Sequence, residues 1–461
     1  MPEIPEPLIT GGSFAFTEMI NMNRHARLLR GMITAVFLLA LAGLLLAGTP
    51  AFAETGAFRF APAPTAAPEP AVPEPTVPEP TAPESAAPSV TQAPRPTPAV
   101  SAAEQEAEII ARFKGARVYG AVLMVTRDGQ EALTVTYGLR DHGDHPVTVN
   151  TRFRVASVTK FVSAVALMTL YDQGKLPLDA SLAEVLPDPV RNPAFPDIPV
   201  TARQTLSHTS SIVPGGTYHP KWENMPKVNR YFKANTAPGS EFNYANLNGG
   251  LTGAMIEALS GQSVNTYVTE HLFAPLGIDA AYTAGLLADQ SDIAEMLKPD
   301  KTIHAGVKRQ LNQVKVYNDT CDPHQNTEIT IGGLYISADG LTRITQMLLA
   351  GGVYGGRRIL NEDTVRLMEL DQQTLPGSSV ACDSPYGLGI IRVTDVGEHT
   401  WYGHQGRYLG LVANAYYQPD TGLTFTMIAI GYKGGSENHL SHLSRKLLTY
   451  VDQVYNGTHN N

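Results

Sequence analysis

Cysteine is almost missing: the 461 residues contain Cys321 and Cys382 and no others. Two cysteines exclude a disulfide-built scaffold and a zinc site of four thiolates. No excess of positive charge is present either. Lys and Arg total 34 against 43 Asp and Glu, for a formal net charge of −9. A basic nucleic-acid binder is therefore excluded, and no nucleic-acid partner is expected. Long apolar runs are scarce, with a single one at 32–48, which excludes a polytopic membrane protein. No G-x-S-x-G elbow, no H-E-x-x-H and no Gly-rich nucleotide loop occurs. His142 and His145, like His439 and His442, are spaced i, i+3 without a ligand pattern and read as surface histidines. No metal and no cofactor is expected.

What is present begins with an export signal. Arg24, Arg27 and Arg30 precede the uncharged run Met32 to Gly48, and Ala51-Phe52-Ala53 fits a cleavage site. Met22 is an alternative start. Residues 1–53 thus read as a signal peptide or, uncleaved, as an N-terminal anchor, the one membrane contact expected. Residues 54–102 form a Pro-rich linker. Thirteen of the 34 prolines lie between Pro62 and Pro98, and Val-Pro-Glu-Pro-Thr occurs at 72–76 and 77–81. Proline removes backbone donors, so this stretch reads as a disordered, extended spacer of about 3.1 Å per residue.

From 103 to 456 the composition is that of a globular domain, with 457–461 as a tail. Ala103 to Lys114 reads as a helix. Ala121–Thr126 and Ala132–Tyr137 read as a hairpin turned at Asp128-Gly129. Leu411–Tyr417 and Leu423–Ile430 read as a second hairpin, and Ser436–Tyr455 as a closing helix. The middle, 157–343, reads as mostly helical. The expected fold is α+β: an antiparallel sheet flanked by helices, with an inserted α-helical subdomain, in two lobes.

Three segments carry candidate chemistry. Ser157-Val158-Thr159-Lys160 opens a helix apolar on nearly all faces, which ends near Gly174. Ser157 and Lys160 share one face of its first turn. Burial lowers a lysine pKa, and a neutral amine can accept a hydroxyl proton. By itself this pattern is also an N-cap serine followed by an incidental lysine. Tyr244-Ala245-Asn246 precedes a second apolar helix and brings a phenol and an amide to one loop. His404-Gln405-Gly406-Arg407 stands just before the first strand of the second hairpin, where Gly406 admits close backbone approach.

The order S-x-x-K, Y-x-N, H-x-G resembles the serine β-lactamase and penicillin-binding-protein superfamily, in its class C-like branch with the DD-carboxypeptidases. Thr205-Leu206-Ser207-His208-Thr209-Ser210, Ile331-Gly332-Gly333-Leu334, Ser337 to Leu341 and Tyr386-Gly387-Leu388-Gly389 resemble further stretches of that family. The resemblance implies a β-lactamase/transpeptidase-like fold and a set of roles. Ser157 is the acylated nucleophile, Lys160 assists its deprotonation, and Tyr244 shuttles the proton. Asn246 holds the substrate amide. His404 bonds the substrate carboxylate or Tyr244. The N–H groups of Ser157 and Arg407 form the oxyanion hole, worth about 3 kcal/mol per donor.

The sequence departs from the pattern in three places. His404 replaces the Lys usual in β-lactamases. Gln405 replaces a Thr or Ser that would contact the substrate carboxylate. Ser211 replaces a Gly. Arg392 and Arg407 are candidate cations for that carboxylate. If the chain is exported, Cys321 and Cys382 either pair or remain two free buried thiols.

The expected activity is therefore an exported serine hydrolase of the cell envelope, a D-Ala-D-Ala carboxypeptidase acting on peptidoglycan peptides and open to β-lactam acylation. An esterase, a weak β-lactamase on small esters or amides, and a silent binding protein of the same fold are the alternatives.

Overall fold

The computed structural model describes residues 100–457, apart from 188, 214–230, 316, 318 and 324–327. The leader, nearly all of the linker and the last four residues lie outside the described residues. Ser101 caps helix α1 (Ala102–Gly115) through a capping box with Glu104. Strands β1 (Gly120–Arg127) and β2 (Gln130–Gly138) follow. Asp128 and Gly129 both have positive φ, 50° and 78°, as a two-residue hairpin turn requires. The middle of the chain carries α2 (Val158–Asp172), α3 (Ala202–Leu206), α4 (Asn246–Ser260) and α5 (Ala338–Leu349). The C-terminal part supplies β3 (Ile391–Val393), β4 (Trp401–Tyr408), β5 (Leu411–Gln418), β6 (Leu423–Ile430) and α6 (His442–Asn456).

The strands form one antiparallel sheet in the order β2-β1-β6-β5-β4-β3. The first and last parts of the chain meet where Gly120 pairs with Ile430. Both faces of this sheet are covered, so β1 and β6 are buried at nearly every successive position rather than at alternate ones. Val122, Met124 and Ile428 pack with α2, α4 and α5, while Ala121, Leu123, Val125 and Phe425 pack with α1 and α6. The expected α+β architecture is present.

Four local expectations are corrected. The core facing α5 runs without a break from the sheet into α2 and α4, and the described residues belong to one compact unit rather than two lobes. Among the described residues of the middle region, long irregular stretches separate the helices, and less of it is helical than expected. Residues 436–441 are a small hairpin, not helix. Asn438 and His439 turn it with φ of 43° and 62°, and Ser441 then caps α6. Trp401–Arg407, placed just before the first strand of the second hairpin, is itself strand.

Candidate active site

The chain reaches the head of α2 through Phe153-Arg154, which pair with Tyr335-Ile336. It then turns at Ala156, whose φ of 48° lies in the left-handed region. A left-handed non-glycine residue costs about 1–3 kcal/mol and persists only where its neighbours hold it. Here Val155 N–H donates to Leu334 O at 2.9 Å, and Leu334 N–H donates to Thr159 Oγ1 at 3.2 Å. Ser157 is left half-buried at the start of the helix. Its hydroxyl makes no cap bond, unlike an ordinary N-cap serine. Instead it lies 3.2 Å from Lys160 Nζ.

Residues 158–170 of α2 are all buried, so Lys160 has no route to bulk water along its own helix. It is 5% exposed. Nζ donates to Ile331 O at 2.7 Å and lies 5.4 Å from the centre of the Tyr244 ring. Burial pushes its pKa down to about 7. The lysine stem crosses α4 at Gly249, where a Cβ would come within 2.8 Å of Cγ. Only glycine leaves that passage open.

Tyr244 is half-buried on the loop leading into α4, and Asn246 is that helix's first residue. The Tyr244 ring stacks on His208 with centroids 4.4 Å apart, and Tyr386 is 6.0 Å away. Phe242 stacks on Tyr386 at 5.7 Å and meets the edge of His439 at 5.9 Å.

Strand β4 closes the site. Its pairing with β3 stops after Gly403, while pairing with β5 continues to Tyr408. Beyond Gly403 the edge of β4 runs past the head of α2. A Cβ on Gly406 would lie 2.1 Å from Val155 O and 3.0 Å from Ser157 N. The close approach expected of Gly406 is thus made by the protein's own backbone.

Several expected roles do not fit this geometry. His404 is 1% exposed and points into the protein. Its Nδ1 lies 2.6 Å from the Gln405 carbonyl, which places the proton there, and Nε2 is 3.3 Å from Tyr386 Oη. Burial, followed by the charge of Lys160, lowers its pKa to about 3. A neutral, buried imidazole that supports Tyr386 replaces the expected direct bond to a substrate carboxylate or to Tyr244.

Gln405 faces the opposite side of the strand, because side chains alternate. Its Nε2 donates to His439 O at 2.9 Å, and its Oε1 accepts from Ser441 N at 2.6 Å and Ser444 Oγ at 2.9 Å. It ties β4 to the head of α6 and does not face the site. Gln405→Leu is therefore expected to cost about 1–3 kcal/mol in a denaturant melt while the KM for an ester stays unchanged.

Arg392 is engaged by Asp371 at 3.5 Å, and the exposed Arg407 guanidinium donates to Gly434 O at 2.7 Å. Neither is held toward Ser157 as a carboxylate anchor. Of the two alternatives for the cysteines, the structure has free thiols rather than a pair, and they are not deeply buried: Cys321 is exposed and Cys382 half-buried. Cys321 lies against Glu257 near the end of α4, whereas Cys382 follows Ala381, bonded to Gly239 on the loop ahead of that helix.

Four residues at the site were not among the expected ones: His208, Phe242, Tyr386 and His439. His208 and Tyr386 stand in family-like stretches that identify them. His439, read above as a surface histidine, borders the aromatic group. Among the described residues, no group of side chains is arranged to hold a metal ion.

The beta-lactamase family model matches residues 106–446. The D-alanyl-D-alanine-carboxypeptidase/endopeptidase AmpH of Escherichia coli K12 is 26% identical over 268 residues, 54% of this chain and 64% of that protein. The chain thus spans less than two thirds of that relative. The octameric penicillin-binding protein homologue from Pyrococcus abyssi aligns with TM-score 0.61 and 21% identity over 78% of each chain. The D-amino acid amidase from Ochrobactrum anthropi SV3, solved with L-phenylalanine amide, aligns with TM-score 0.56 and 20% identity. That alignment covers 75% of this chain and 95% of the amidase. Both structures share the fold described above.

Proposed function

The chain belongs to the beta-lactamase family, and from that premise we propose that it is a serine hydrolase working through a Ser157 acyl-enzyme. One observation carries the reading: an uncapped serine hydroxyl lies 3.2 Å from a buried lysine whose pKa is about 7. Near neutral pH a large share of that lysine is a free amine, able to take the hydroxyl proton as Ser157 Oγ bonds to a substrate carbonyl. The oxyanion so formed is held by the N–H groups of Ser157 and Arg407 at the junction of α2 and β4. The proton passes from Lys160 through Tyr244 to the leaving group, which departs neutral. Water then attacks the acyl-enzyme, and the same groups return a proton to Ser157 Oγ. Asn246 holds the substrate amide.

The substrate proposed first is the D-Ala-D-Ala end of a peptidoglycan peptide, in keeping with the likeness to AmpH. Export to the cell envelope, with 1–53 as leader and 54–102 as spacer, belongs to this reading. A second reading, an esterase or weak β-lactamase, is favoured by Gln405 facing away and Arg392 being paired. Fewer groups are then left to read a carboxylate.

The test uses the purified chain, a fluorescent penicillin and intact mass with peptide mapping. A stable adduct on Ser157 and release of D-Ala from a D-Ala-D-Ala peptide are expected. Turnover of p-nitrophenyl esters without either would replace the carboxypeptidase by the esterase. Rapid penicillin turnover would make it a β-lactamase. Neither adduct nor hydrolysis would leave a binding protein.

A further inference from the structure

His208 lies just beyond the C-terminal end of α3 and contacts both flanks of Tyr244. Its carbonyl accepts the N–H of Asn243 at 2.8 Å, immediately before Tyr244. Its Nδ1 accepts the N–H of Ala245 at 3.2 Å, immediately after. The ring lies between these two ties and stacks on the phenol at 4.4 Å, with 29° between planes. Tyr244 is therefore held at both peptide neighbours and on its ring by one residue.

That residue is itself over-determined. His208 has φ 57°, a strained value for a non-glycine residue, and is 4% exposed. Asn248 Nδ2 lies 3.0 Å from the same Nδ1, and Ser210 Oγ donates to Asn248 Oδ1 at 2.7 Å. The serine thereby fixes which end of the Asn248 amide faces the imidazole. With two donors aimed at Nδ1, the ring must be neutral and carry its proton on Nε2. Burial is the main force holding its pKa well below the usual range, reinforced by the charge of Lys160. A strained, buried, doubly bonded imidazole is more than packing around Tyr244 requires.

From this geometry we propose that His208 is a positioning residue that sets the orientation in which Tyr244 delivers a proton to the leaving group. The inference rests on the acyl-enzyme reading above. It predicts a dependence on the leaving group. p-Nitrophenolate departs without a proton, whereas methoxide departs only as it is protonated. Loss of Tyr244 orientation should thus slow a methyl ester far more than a p-nitrophenyl ester of the same acid.

The test compares these two esters of N-acetyl-D-alanine in the full chain. His208→Phe keeps a ring and removes the acceptor. His208→Asn keeps an acceptor near the Nδ1 position, and Asn tolerates a left-handed φ. The Phe variant is expected to lower kcat/KM about 100-fold for the methyl ester and about threefold for the p-nitrophenyl ester. The Asn variant should restore the methyl ester to within about fivefold of the parent. In a Tyr244→Phe background, neither change should have a further effect. Equal losses on both esters, no rescue by Asn, or undiminished losses in the Tyr244→Phe background would overturn the proposal. Should the Phe variant not fold, His208→Ala carries the same comparison. Tyr244→Phe alone leaving both esters untouched would overturn the role of Tyr244, and with it this inference. The other adverse outcomes overturn this inference alone.

Discussion

Ser157→Ala is expected to abolish the penicillin adduct and to lower ester turnover by about 10⁴-fold or more, because no second nucleophile takes its place. The melting temperature should barely move. The hydroxyl caps nothing, and its neighbour Lys160 keeps the Ile331 carbonyl as an acceptor. Intact mass after labelling and a thermal melt read both effects from one preparation. An adduct persisting in the Ala variant would place the nucleophile elsewhere. A large fall in melting temperature would make Ser157 a structural residue.

Lys160→Met should separate activity from stability in the opposite sense. Activity is expected to fall by about 10³-fold, the contribution of a positioned base. Stability should rise, and the sign follows from linkage. The lysine pKa is about 7 in the folded protein, against an ordinary value of 10.5. Between those values the unfolded chain holds the proton more tightly, so the parent gains stability as pH rises from about 7 to about 10.5. Below pH 7 the cost of burying the ammonium is present in full. The Met variant carries no such cost. Its advantage over the parent should be larger at pH 6 than at pH 9, by about 3 kcal/mol. Denaturant melts of both proteins at the two pH values check this. An advantage independent of pH would show that Lys160 is not desolvated. In the parent, kcat/KM should climb as pH rises toward about 7 and then level off, as the amine loses its proton.

Much of this arrangement is legible in the residues, for local reasons. Asp128-Gly129 meets the torsional demand of a tight hairpin, and uninterrupted apolar positions around Lys160 announce a buried helix. The side on which Gln405 lies was legible in principle. Once Trp401–Tyr408 is a strand, alternation puts His404 and Gly406 on one side and Gln405 on the other. A stretch placed ahead of the strand, rather than in it, carries no such constraint. The hairpin at 436–441 was hidden because it depends on two left-handed residues, Asn438 and His439, whose carbonyl is held by Gln405 from a distant strand. The tie between His208 and Tyr244 joins segments about 36 residues apart in the chain, a pairing that no local pattern encodes.

The sheet has a consequence for how the chain is made. Synthesis runs from the N-terminus at about 5–20 residues per second. Ser157 and Lys160 emerge early, yet β1 finds its partner β6 only after residue 430, and Gly406 reaches Ser157 only with β4. A nascent chain stopped short of these strands carries both reactive side chains and no oxyanion edge. On the proposed reading, activity is therefore expected only at a late step, when the last strands dock.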